Sequence, residues 1–133
     1  MAGKFMMAAE VQPEILDWGR LQWLANPPAT GAKDLTVIGV TLSPGKGHDF
    51  HRHPDQEEVI YVVSGTVEQW IDQTPRALGA GDSAFIPAGV VHASFNVGRD
   101  EARIVAILGP CVGDVGYVAE EVADQAPWKG LRS

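Results

Sequence analysis

The chain has 133 residues, 45% hydrophobic and 20% charged, with a formal net charge of -7. That length supports one domain around one core. The negative balance excludes nucleic acid and an anionic membrane as natural partners and suits chemistry on a small-molecule substrate.

With 15 glycines and 9 prolines, short strands joined by turns are favoured over long helices. Cys111 is the only cysteine, so no intrachain disulfide forms, which fits a reducing compartment. Near the start, the apolar run 5–9 is too short for a secretion signal and Glu10 ends it. No stretch approaches the ~18 apolar residues of a membrane span. The expectation is a soluble, cytoplasmic protein.

Residues 1–10 read as a mobile start. Residues 11–24, with Trp18 and Trp23, follow neither a period of two nor of 3.6. The two tryptophans are expected to cover an open side of the core or a subunit contact. Residues 26–31 (Asn-Pro-Pro-Ala-Thr-Gly) read as a loop. Strands are expected over 35–42, through the histidines 51 and 53, and over 58–63, 66–71, 76–78, 83–86, 91–96 and 102–108. Strand 58–63 is nearly all apolar, as expected where both faces are covered. Turn signals every 8–12 residues are the rhythm of an all-β sandwich or barrel. The tail from 114 to 124 is acidic with no strong strand, and 126–131 reads as a terminal segment pinned by Trp128 and Leu131.

His51 and His53 are two apart, so on a strand they share a face, with Cα atoms roughly 6–7 Å apart. Two imidazoles at that spacing can converge on one metal ion. His48 falls three before His51 and faces the other way on a regular strand. A Pro-Asp turn follows, then the adjacent carboxylates Glu57 and Glu58, which face opposite ways. Further on, Pro87-Ala-Gly89 makes a turn, after which His92, Ser94 and Asn96 share a face.

Both stretches match the signature motifs of the cupin superfamily, and the chain resembles a small single-domain member of it. Gly45, His51, His53, Glu58 and Gly65 occupy the fixed positions of the first motif. Gly81, Pro87, Gly89, His92 and Asn96 occupy those of the second. A chance match to the second pattern alone is below about one in ten thousand.

The resemblance implies an all-β, antiparallel jelly-roll barrel over about residues 35–109, within a single domain spanning 1–133. It implies one divalent transition metal ion per chain (Fe, Mn, Ni, Co, Cu or Zn), held by His51, His53, Glu58 and His92. The spacing to Gly65 selects Glu58 over Glu57, which is assigned a surface role, paired with Arg52. Such a site implies a metal-dependent enzyme with dioxygenase-like oxidative chemistry. The alternatives are an isomerase, lyase or decarboxylase, with Tyr61 as the base within the motif, and a non-catalytic small-molecule-binding module. Tyr61, Gln69, Trp70, Phe85, Phe95 and Asn96 are candidates for the cavity wall, and Cys111 reads as a packed residue. The resemblance also implies a homodimer, with the tryptophan segment as a contact.

Overall fold

The computed structural model describes residues 2–132. In chain order its elements are β1 (Glu14–Leu16), β2 (Gly19–Ala25), the one-turn helix α1 (Pro27–Thr30), β3 (Thr36–Leu42), β4 (Gly47–Arg52) and β5 (Glu57–Ser64). There follow β6 (Val67–Ile71), β7 (Thr74–Leu78), β8 (Ser83–Ile86), β9 (His92–Asn96), β10 (Ala102–Gly109) and β11 (Glu120–Glu121). They form two antiparallel sheets, β1-β2-β3-β10-β5-β8 and β11-β4-β9-β6-β7. All-β architecture follows from the many short β-rich runs cut by glycine and proline turns.

Three local expectations change. Residues 27–30 form one helical turn rather than a loop, because the Asn26 side chain accepts from the Ala29 N–H and the prolines sit at its start. The unpatterned segment 11–24 supplies β1 and β2, which extend the larger sheet through β2–β3 pairing. β5 is covered on one face only: Ile60 and Val62 are buried, whereas Tyr61 is 43% and Val63 45% exposed.

The main core lies between the sheets, where alternation turns one face of each strand inward. Ile38, Val40 and Leu42 of β3 meet Ile60 and Val62 of β5 and Ile104, Ala106 and Leu108 of β10. The Ser64-Gly65 turn lets β10 run close alongside. Gly65 has φ +86, and any Cβ there would collide with Ala102.

A second apolar cluster covers the outer face of the smaller sheet. Phe50, Trp70, Ala93 and Phe95 point away from the barrel and pack under Val122, Trp128 and Leu131. Phe50 meets Trp70 edge-on at 5.4 Å, and the Arg132 guanidinium lies 3.9 Å above the Phe95 ring. Arg132 also pairs with Glu68, which accepts from the Trp70 indole at 2.8 Å. Trp128 and Leu131 thus hold the terminal segment against the sheet.

Candidate metal centre

The site sits inside the barrel, where the two sheets face each other. β4 and β9 pair in register with His51 directly opposite His92. His53 follows at the end of β4, and Glu58 projects inward from β5 across the lumen. All four side chains are buried, with relative exposures of 4% for His51, 3% for His53, 5% for Glu58 and 1% for His92. The three histidines offer nitrogens within 4.8 Å of one another.

Backbone carbonyls fix each ring. His51 Nδ1 bonds Asp49 O at 2.6 Å, His53 Nδ1 bonds Val118 O at 2.9 Å, and His92 Nδ1 bonds Val90 O at 3.0 Å. A carbonyl only accepts, so each Nδ1 carries the hydrogen, and in the neutral ring Nε2 keeps its lone pair. Locking the outer nitrogen in this way is how metal-ligating histidines are oriented.

The inner atoms are correspondingly short of partners. His92 Nε2 lies 2.8 Å and His53 Nε2 3.3 Å from Glu58 Oε1. Despite that approach, neither Glu58 Oε1 nor His92 Nε2 completes a well-angled hydrogen bond. Two buried acceptors this close repel unless positive charge lies between them. Three imidazoles and a carboxylate are the borderline donor set that divalent transition metals favour. The residues present therefore fit a metal ion.

The shifts of His51 and Glu58 run in the direction that ligation needs, and that of His53 runs against it. Burial, then the nearby His48 and His92, push His51 well below the ordinary 6.5, so it stays neutral. For His53 burial alone lowers the pKa, but the close approach and charge of Glu58 outweigh burial and leave it raised, so without a metal this ring takes up a proton more readily than that of His51. Burial alone would raise Glu58; contact with His53 and His92 instead brings it to about 2. Glu58 is therefore ionised at neutral pH.

Glu57, beside Glu58 in the chain, is exposed, and Arg52 pairs with Glu120 rather than with it. His48 departs from the regular-strand expectation. The register of β4 against β9 shifts between His48 and His51, which turns His48 inward. Its ring lies 3.6 Å from that of His51 at 7°, and Trp18 stacks on its other side at 5.1 Å. Glu121 approaches His48 Nε2 at 3.3 Å. His48, His51 and Glu121 form a second group of close donors. In parallel stacked rings, however, the in-plane lone pairs run side by side, so this group is poorly shaped for a metal.

Beyond the histidines, the cavity is walled mainly by aliphatic side chains of β3, β5 and β10, with Trp18, His48 and Tyr117 among its lining. None of the six wall candidates from the sequence lines it. Trp70 and Phe95 face the second cluster, and Tyr61 and Phe85 are exposed. Gln69 accepts from Ser94 at 2.6 Å, and Asn96 binds Leu42 O, Asp100 O and Gly98 N. Trp18 is a cavity residue, while Trp23 packs on the core beside Tyr117. Cys111 is packed, its thiol donating to Leu35 O at 3.1 Å.

Trp18, Tyr117, Val118 and Glu121 were missed by sequence reasoning. They lie outside both motifs, and the tail carries no periodic signal. The loop before β11 is held by Gln56, whose amide donates to Pro110 O and Gly116 O, and by Thr36, whose hydroxyl donates to Gly116 O.

Two facing antiparallel sheets define the jelly-roll class, and this one carries a histidine cluster in its lumen. Within that class the chain belongs to the cupin family, whose cupin domain profile matches residues 39–108. It is 35% identical over 120 residues to the polyketide synthase CurC of Streptomyces cyaneus, covering 86% of this chain and 78% of that one. It is 41% identical over 85 residues to the quercetin 2,3-dioxygenase of Bacillus subtilis, covering 62% of this chain and 24% of that protein. Among solved structures, KdgF from Halomonas sp. superposes with a TM-score of 0.75 at 21% identity, covering 85% of this chain and 98% of the other. Among the described residues no helix is long and apolar enough to cross a membrane.

Proposed function

We propose that the protein is a metal-dependent enzyme acting on a small oxygenated organic substrate, with dioxygenase-like oxidative chemistry. His51, His53, His92 and Glu58 are its metal ligands. The observation that carries this reading is the pair of close, unsatisfied buried acceptors, Glu58 Oε1 and His92 Nε2, beside two further imidazoles. A divalent ion bound there supplies Lewis-acid polarisation of a substrate oxygen and, for Fe or Mn, redox chemistry with O₂. The protein's own part is to hold three rings in one tautomer, keep one carboxylate ionised and exclude water with an aliphatic wall. The names of the two relatives, a polyketide synthase and a quercetin dioxygenase, support an oxygen-rich organic substrate.

Tyr117 favours a second reading, an isomerase or lyase. Such chemistry needs a proton donor or acceptor beside the metal. Tyr61 lies outside the barrel, whereas Tyr117 lines the cavity 5.4 Å from the His53 ring. The deciding experiment is elemental analysis of purified protein followed by O₂ uptake with enolic and phenolic substrates. Stoichiometric metal with O₂ consumption supports the oxidative reading. Stoichiometric zinc with none refutes it and leaves the isomerase or a binding module.

The proposal extends to a cytoplasmic homodimer. Trp18 and Trp23 are committed within their own chain. The exposed neighbours Phe85, Tyr61 and Ile107 on the outer face of the larger sheet are therefore the better contact. Light scattering of wild type and Phe85→Asp tests this: a wild-type monomer refutes the dimer.

A further inference from the structure

The structure also restricts which substrates the cavity accepts. None of the ten Lys and Arg residues lines it. Arg20, Arg52 and Arg132 are engaged on Glu101, Glu120 and Glu68. The permanently charged group among the lining residues is Glu58, and Glu121 stands behind His48. The Arg or Lys that commonly receives a carboxylate or phosphate is therefore missing from this cavity. Here a dication paired with Glu58 leaves about one positive charge, which Glu121 offsets further.

The cavity instead offers flat and apolar contacts. Its walls include Ile38, Val40, Ile104 and Leu108, and the Trp18 indole lies parallel to His48 within 17°. One phenol adds a polar contact: among the described residues, the Tyr117 hydroxyl makes no hydrogen bond to the protein, although its ring faces His53. An ordinary phenol is protonated at neutral pH, so this hydroxyl can donate.

We infer that the cavity selects uncharged, planar, largely apolar molecules bearing hydroxyl or carbonyl oxygens, and that Tyr117 is a positioning residue donating to one of those oxygens. This rests on the metal reading above. The test compares two ortho-substituted benzenes: catechol, which enters neutral and releases a proton to solvent on binding a metal, and phthalate, which enters as a dianion. Protein loaded with cobalt(II) is titrated with each at neutral pH and followed by visible absorption and calorimetry.

Catechol should bind at least about tenfold more tightly than phthalate. Tyr117→Phe should weaken catechol by about tenfold while leaving cobalt content and the ligand-free cobalt spectrum unchanged, which a merely structural role would not do. Phthalate binding as tight as catechol, no binding of either, or a Tyr117→Phe variant that binds catechol normally overturns the inference. Selective catechol binding by the cobalt protein, with no O₂ uptake by the iron- or manganese-loaded protein, sinks the oxidative reading alone. O₂ uptake with phthalate preferred sinks the inference alone. A protein that takes up no cobalt overturns both.

Discussion

Exchanging each of the adjacent carboxylates separates a ligand from a bystander. Glu58 is 5% exposed and reaches within 2.8 Å of His92, whereas Glu57 is exposed on the outer face of β5. Glu58→Gln keeps shape and removes the charge. Metal present at about 100 times its Kd stabilises the folded state by about 2.7 kcal/mol. For 133 residues the unfolding entropy is roughly 280 cal/mol/K, so the melting temperature should rise by about 10 °C. If Glu58→Gln weakens binding about 100-fold, the same metal concentration equals the new Kd. The gain then falls to about 0.4 kcal/mol, or roughly 1.5 °C. Glu57→Gln should keep the full shift. The assay is thermal unfolding of chelated and metal-supplemented protein, each variant compared with itself. A full shift in Glu58→Gln, or a shift lost in Glu57→Gln, refutes the assignment.

Other perturbations reach different parts of the molecule. Phe50→Ala should cost about 3–5 kcal/mol in urea unfolding, because its 2%-exposed ring fills the second cluster between Trp70 and Phe95. Gly116→Ala should destabilise by about 1–3 kcal/mol and weaken metal binding. Its φ is +100, and a Cβ would strike Thr36 and Pro27, dislodging the loop whose Val118 carbonyl holds His53. Glu68 is held below the ordinary 4.5: burial opposes this, but the Trp70 indole and Arg132 outweigh it. Its stabilising contribution is therefore full above about 4.5 and lost as pH falls through the folded value. Acid unfolding followed by tryptophan fluorescence should be less pH-dependent below 4.5 in Glu68→Gln.

The succession of strands from 35 to 108 was legible because glycine and proline turns break the chain into short β-rich runs, but which strand lies beside which was not. The gathering of His51, His53, Glu58 and His92 was legible because alternation and the motif spacings put each on the same side of its strand. The cavity wall was not. Alternation says that Gln69 and Trp70 face opposite ways, but an outer face with its own apolar cover looks like an inner one. Trp70 and Phe95 therefore read as lumen residues when they belong beneath Trp128 and Leu131. His48 was misread for a different reason: one register slip reverses a face, and nothing in Gly-His-Asp-Phe-His announces it. Tyr117 and Glu121 lie in a tail whose path is set by Gln56 and Thr36, contacts 60 and 80 residues apart in sequence.

Those separations bear on how the protein comes to be folded. The site is closed by His53 to Val118, 65 residues apart, and by His48 to Glu121, 73 apart. Chains dominated by such distant pairings fold slowly, in milliseconds to seconds. Pairing of β3 to β10 does not require the 110–121 segment, which supplies the anchor of His53 alone among the three rings. A chain lacking that segment keeps the local anchors of His51 on Asp49 and His92 on Val90 but leaves His53 without the Val118 carbonyl that orients it.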